Sequence, residues 1–303
     1  MSELAAKSGL AEGLVVAVTG VVCLAFQFWL PSTQVAEADY QAVAQVVSSE
    51  AKAGDVILLA PWWTERARIF MPESVPVTGY LGSDRDALEL HPRIWVLAQP
   101  NLPRADLSDF FKEFGRGRTE VGAERRFGNL SLRLFTNGRA PEVLFSANAA
   151  LPSAKVSLEA RDGNRADCQW MGRSHRCPNG QEVLTQWHEL KYQPRQCLRF
   201  FPPAGGAKMV AQFDNVPAAE SLVLMGGYIW EHAVHLDGVS QTDLTLEVNG
   251  EPSVLSLPPG TDGVQRLERK STPAGATVRV SVSAPNPNDR EVCFELYAFG
   301  GAR

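Results

Sequence analysis

Thr245-Leu246-Glu247-Val248-Asn249-Gly250 is followed, two residues on, by Ser253-Val254-Leu255. Apolar and polar residues alternate on both sides of the Asn-Gly pair. That dipeptide favours a two-residue hairpin turn, because both central positions accept the left-handed backbone the turn requires. Working outward, short runs of the same texture recur at residues 155–160, 183–190, 196–201, 209–213, 222–228, 277–283 and 292–299. Turns such as Pro259-Gly260 punctuate them. Many short strands at near-regular spacing, with no helical periodicity between them, predict an all-β sandwich of jelly-roll type over residues 142–303. The 20 prolines and 25 glycines of the chain fit so many turns.

Before residue 140 the texture differs. Residues 40–52 place apolar side chains at 43, 46 and 47, a helical spacing. Gly54-Asp55 ends that pattern. Val56-Ile57-Leu58-Leu59-Ala60 then runs without a polar residue into Pro61, as does Ile94-Trp95-Val96-Leu97-Ala98 further on. Continuous apolar runs of this length predict strands covered on both faces. Residues 63–70 suggest a short helix. Leu107, Phe110, Phe111 and Phe114 form one face of another. Residues 120–127 and 129–135 predict two strands joined at Gly128. Together these form a small α/β (Rossmann-like) layer domain over residues 33–138.

Ahead of both domains, Gly13 to Leu30 reads GLVVAVTGVVCLAFQFWL, eighteen residues without a charge. At helical rise they span roughly 27 Å, close to a hydrocarbon core of about 30 Å. The bulky exit Phe28-Trp29-Leu30-Pro31 is a poor cleavage site, and Trp29 suits a membrane interface. The expectation is a retained transmembrane anchor at 13–30 with a short tail at 1–12. The tail carries Lys7, whereas residues 31–51 have no Lys or Arg and carry Glu37, Asp39 and Glu50. The positive-inside rule then puts the tail in the cytoplasm and the large part outside, periplasmic or extracellular.

Cysteine usage agrees. Cys23 falls within the apolar segment. Cys168, Cys177, Cys197 and Cys293 make an even set in the second half, for which three pairings exist. One of them closes a short polar loop, Cys168 with Cys177, and ties an early strand to the last with Cys197 and Cys293. Such bridges persist in an oxidising compartment. A net charge of −5 without a basic stripe argues against nucleic acid as a partner.

Three segments carry a resemblance. Gly54-Asp55-Val56-Ile57-Leu58-Leu59-Ala60-Pro61-Trp62, Arg93-Ile94-Trp95-Val96-Leu97 and Arg126-Phe127-Gly128-Asn129-Leu130-Ser131-Leu132 resemble the extracytoplasmic α/β domain after the last span of GT-C glycosyltransferases. Those enzymes use polyprenyl-phosphate sugar donors. The resemblance covers about the first third of the chain. It implies catalytic carboxylates in a loop between early spans, and this chain has a single span and no such loop, so no catalytic residue is carried over.

No Gly-x-Ser-x-Gly, P-loop, Gly-x-Gly-x-x-Gly or His-Glu-x-x-His motif occurs, and no catalytic residue, metal site or cofactor is assigned. Glu231, His232, His235 and Asp237 are the nearest approach to a metal set. On a strand, however, His232 faces away from the other three. Trp62-Trp63 and the rings of Trp170, Trp187, Tyr192, Tyr228 and Trp230 are candidates for stacking on a pyranose. The chosen ligand-binding residues are Trp170, Trp187, Trp230 and His232. Asp55 is read as a turn residue. The Asn129-Leu130-Ser131 sequon is assigned to a strand, and Arg116, Arg118, Arg125 and Arg126 to a solvated face.

The sequence therefore predicts a single-pass envelope protein, leaning non-catalytic. The bilayer would meet residues 13–30, and the sandwich would bind a glycan or another envelope protein. Two alternatives stand beside it: an accessory or remnant of a membrane glycosyltransferase acting on lipid-linked sugars, and a structural scaffold.

Overall fold

A strand that is apolar on both sides needs cover on both faces, and the first domain supplies it. In the computed structural model, residues 15–302 are described except 30–33, 53, 73, 80–87, 89, 103–106, 191–192, 230–239, 262 and 288–289. The first domain has strands β1 (Val56–Ala60), β2 (Val77–Gly79), β3 (Arg93–Ala98), β4 (Arg118–Phe127) and β5 (Leu130–Asn137). Their order is β2-β1-β3-β5-β4. β2, β1 and β3 are parallel, whereas β5 and β4 complete the sheet antiparallel.

Side chains along β1 divide by parity. Ile57 and Leu59 meet Tyr40, Val43 and Val47 of a helix at Glu37–Glu50, while Val56, Leu58 and Ala60 meet Phe114 of a helix at Leu107–Phe114. Both faces of the sheet are thus closed, as the apolar runs demand. The expected helix at 63–70 is a 3-10 helix at Glu65–Ile69. Asn129 lies in the turn between β4 and β5 rather than in a strand, because Gly128 takes φ +54° and residue 129 completes the reversal.

The remaining strands are β6 (Pro141–Ser146), β7 (Lys155–Glu159), β8 (Arg165–Asp167), β9 (Gln169–Trp170), β10 (His175–Arg176), β11 (Glu182–Leu190) and β12 (Gln193–Phe200). They continue with β13 (Lys208–Val216), β14 (Ala219–Tyr228), β15 (Thr242–Val248), β16 (Glu251–Leu257), β17 (Gln265–Thr272), β18 (Ala276–Ser283) and β19 (Val292–Ala302). One sheet runs β17-β14-β19-β12-β11-β10-β9, with β6 also on β19, and the other runs β16-β15-β18-β13-β7-β8. The pairs β12–β19, β13–β18, β14–β17 and β15–β16 are all antiparallel and nest around the Asn249-Gly250 hairpin. A long antiparallel ribbon folded over on itself in this way gives the strand order of a jelly roll.

The nesting explains the alternation. In β15, Thr242, Leu244, Leu246 and Val248 are buried, and in the neighbouring β18 Ala276, Val278, Val280 and Val282 are buried beside them on the same face of the sheet. Two disulfides, Cys168–Cys177 and Cys197–Cys293, brace the sandwich. The second joins β12 to β19 across a sequence separation of 96. They point to an oxidising, extracytoplasmic compartment.

At the amino terminus, residues 15–29 are helical and exposed along their whole length. No helix among the described residues is long and apolar enough to cross a membrane. Residues 13, 14 and 30, which the expected anchor includes, lie outside the described residues.

Candidate functional site

The strands β14 and β19 are buried on both faces, which a sandwich sheet open to solvent would not be. Leu222 and Leu224 enter the sandwich core with Phe294 and Leu296. Their neighbours Val223, Met225 and Phe299 point the other way and pack with Tyr297 and with Leu90 of the first domain. The α/β domain therefore covers the outer face of this sheet. It does so with the end of its own sheet where the parallel strands begin: Gly54 to Val56 before and into β1, and Leu90 to Pro92 before β3.

A cavity of about 730 Å³ remains between the two domains. Its polar wall comes from strands of the sandwich. Glu295 is the one charged residue in an otherwise apolar stretch of β19. It is ion-paired with Arg195 of β12 at 2.9 Å, and the two side chains are only 10% and 11% exposed. The Tyr297 hydroxyl donates to the other Glu295 oxygen at 3.1 Å. Burial, with the Glu295 carboxylate beside it, holds the Tyr297 phenol well above its ordinary pKa, so it remains a neutral donor and acceptor. Trp187, Thr185 and Asn148 line the same cavity, and Asn148 is anchored by donating to the Gln196 carbonyl at 2.5 Å.

The opposite wall belongs to the α/β domain. His91 donates from Nδ1 to the Gly54 carbonyl at 2.9 Å. Burial lowers its pKa, outweighing the opposing pull of the Gly54 carbonyl and of Glu295, so the ring is held neutral. Asp55 is fully buried. Its Oδ2 accepts from the Trp95 indole at 2.8 Å and from the Lys52 backbone at 3.0 Å, and it pairs with Arg93 at 3.3 Å. Asp55 is thus a structural anchor for the start of β1, in keeping with its reading as a turn residue. Its Oδ1 has no protein partner.

Chemically, the cavity offers fixed donors and acceptors and an indole in its lining, with Glu295 paired to Arg195 and Asp55 to Arg93. That arrangement suits a neutral, hydroxyl-rich molecule rather than a free ion. Trp187 is the sequence candidate that the fold delivers to this cavity. Trp170 is elsewhere: it sits in β9, packed on the sandwich core with its ring 4.9 Å from that of His175. Trp230 and His232 lie outside the described residues, as do Glu231, His235 and Asp237. No group of three or more His, Cys, Asp or Glu poised for a metal occurs among the described residues. Arg125 and Arg126 pair with Glu50 and Glu124, and Arg118 donates to the Phe114 carbonyl. Arg195, Glu295, Tyr297 and His91 were not singled out by sequence. The one available signal was Glu295, a carboxylate in the run Val292-Cys293-Phe294-Glu295-Leu296.

No family model matches the chain, and no curated protein matches it. Among solved structures, it is similar to CBM51 from Clostridium perfringens GH95 in complex with methyl-galactose, with 10% identity and a TM-score of 0.27, covering 50% of this chain and 99% of that one. It is also similar to the CBM36-1 domain of a multidomain xylanase from the hindgut metagenome of Trinervitermes trinervoides, with 15% identity and a TM-score of 0.25, covering 40% and 90%. A third is the catalytic domain of GH87 alpha-1,3-glucanase in complex with nigerose, with 11% identity and a TM-score of 0.23 over 35% of this chain; the match spans 22% of that domain. These are glycoside hydrolase and carbohydrate-binding module domains of β-sandwich type. The likeness is partial and loose, and transfers neither ligand nor activity.

Proposed function

We propose that this chain is a single-pass, membrane-anchored protein of the cell envelope whose extracytoplasmic part binds a glycan in the cavity between its α/β domain and its β-sandwich. The observation that carries the binding reading is the buried row Arg195–Glu295–Tyr297 on the wall of a cavity whose lining also includes Trp187. A pyranose presents an apolar face and a rim of hydroxyls. An indole and a set of immobilised donors and acceptors complement both. The volume, about 730 Å³, is in the range of small-molecule sites. Binding, not turnover, is the reading, because Glu295 is committed to Arg195 and Tyr297.

The anchor rests on separate observations. The helix at 15–29 exposes Val16 by 72% and Phe28 by 79%, which water does not favour and lipid does. Lys7 lies before it, and no Lys or Arg occurs from 31 to 51. The two disulfides agree with the large part lying outside the cytoplasm.

The test is a glycan array and calorimetry on the full chain in detergent. At least one glycan class is expected to be retained, with affinity falling tenfold or more for Trp187→Ala and for Tyr297→Phe. Retention of no glycan, or binding indifferent to both substitutions, sinks the binding reading. Extraction of the full chain from membranes by alkaline carbonate sinks the anchor.

A further inference from the structure

The opposite end of the α/β sheet, where the parallel strands finish, carries an exposed aromatic cluster that the cavity does not use. β1 ends at Ala60, and the chain turns through Pro61 into Trp62 and Trp63, 44% and 48% exposed, with rings 5.8 Å apart and edge-on. The turn is held shape-fast: the Thr64 amide and hydroxyl both donate to the Pro61 carbonyl, at 3.2 and 2.8 Å. A Cβ at Gly79 would lie 3.0 Å from the Trp62 Cβ, so the end of β2 supports Trp62 from beneath. In the 3-10 helix that follows, Ile69 is 80% exposed.

The segment that carries this cluster is tied to Gln34, which follows the amino-terminal helix in the sequence. Arg66, in the same 3-10 helix, donates to the Gln34 side chain at 3.2 Å and pairs with Glu37, the first residue of the helix Glu37–Glu50, at 2.9 Å. Gln34 is five residues beyond Trp29, the last described residue of the helix at 15–29. A fully extended link of that length reaches at most about 18 Å. Gln34 therefore stands within that distance of Trp29, and Arg66 within one further side-chain contact of Gln34.

We infer that Trp62, Trp63 and Ile69 insert into the interfacial layer of the bilayer that holds the helix at 15–29, making a second contact that fixes the α/β domain upright on the membrane. The occupant follows from position and chemistry. Indoles partition to the headgroup level, where the ring is dehydrated and the N–H stays wet. The cations nearby do not demand an anionic partner, since Arg66 is paired with Glu37 and Arg68 with Glu65. The inference rests on the anchor reading of the proposed function and not on the glycan reading.

The experiment uses the full chain in phosphatidylcholine–phosphatidylglycerol vesicles carrying phosphatidylcholine with a shallow (carbon 5) or deep (carbon 12) doxyl quencher. Of the seven tryptophans, three, Trp29, Trp62 and Trp63, are expected to be quenched, the last two more strongly by the shallow label. The Trp62→Phe/Trp63→Phe variant should lose about two thirds of the quenchable emission, and Trp29→Phe about one third. Near-UV circular dichroism matched to the parent confirms that the Phe variants fold. Unchanged quenching in the double variant, with the Trp29 share intact, overturns this inference and leaves the anchor standing. Absence of the Trp29 share together with no flotation of the protein with vesicles takes down the anchor and the inference with it. Quenching replaced by concentration-dependent self-association through the same tryptophans also overturns it.

Discussion

The two ends of the α/β sheet do opposite things with similar material. Where β1 and β3 begin, polar groups are held by specific partners: Asp55 by Trp95 and Arg93, and His91 by Gly54, in the lining of the same cavity as the Arg195–Glu295 pair of the sandwich. Where β1 ends, Trp62, Trp63 and Ile69 are left in the open. One end hides charge from water and the other shows water its aromatics. Each is unfavourable alone, so each implies a partner. The inner end has its partner within the chain. The outer end is tied through Arg66 to Gln34, five residues beyond Trp29 in the sequence.

The contrast is broken most sharply at the inner end. Arg195→Ala leaves Glu295 buried with no cation, and should cost about 3–5 kcal/mol of folding stability. Urea unfolding of the detergent-solubilised chain measures it. A loss under about 1 kcal/mol would mean that water reaches Glu295 and that the domains do not close over it. Next in size is Trp95→Phe. It keeps the ring among Ile57, Leu97 and Leu132 but removes the indole donor to Asp55, a bond to a charged group whose loss should cost about 1.5–3 kcal/mol.

How much of this contrast the sequence shows depends on the range of the signal. The runs Val56 to Ala60 and Arg93 to Ala98 announce strands covered twice, because nothing but cover on both faces tolerates them. Asn249-Gly250 marks its hairpin because the turn needs positive φ at both residues, and both adopt it, +51° and +89°. Those are local facts. The Arg195–Glu295 pair is not local: it spans a hundred positions and exists only because β12 and β19 become neighbours in the nested ribbon. Alternation tells which residues share a face but not which strand lies opposite, nor that a second domain will cover the outer face of β19. Trp187 and Trp170 look alike in sequence for the same reason. The fold puts Trp187 in the cavity lining and Trp170 on the sandwich core. Asn129 falls in the turn, one residue before the strand expected to contain it, because strand ends are weakly marked.

A smaller and reversible effect sharpens the inner end. His91 is held neutral by burial, so its pKa when folded lies below the unfolded value near 6.5. Below that value the unfolded chain binds a proton that the folded chain does not. Stability is therefore fully present above about pH 6.5 and falls as pH drops toward the folded pKa, by at most about 1.4 kcal/mol per pH unit for this one group. His188, also lowered by burial and then by Arg199, adds in the same direction. His91→Gln should flatten part of the slope between pH 6.5 and 5 in thermal melts. An unchanged profile would place His91 in contact with water and the cavity open.

The smallest effect falls at the outer end. Ile69 is 80% exposed, so Ile69→Ser should leave folding stability within about 0.5 kcal/mol of the parent in detergent. Its effect belongs on vesicles, where shallow-label quenching of Trp62 and Trp63 should weaken while that of Trp29 stays constant. The pair of readouts separates two origins of an exposed side chain. If serine destabilises the fold in detergent, Ile69 packs within the protein and the contrast between the ends shrinks. If serine changes neither stability nor quenching, Ile69 is an ordinary surface residue and the bilayer contact narrows to the two indoles. Only the combination of an intact fold and a weakened shallow contact ties Ile69 to the lipid, because burial in lipid is invisible to a protein that has none to meet.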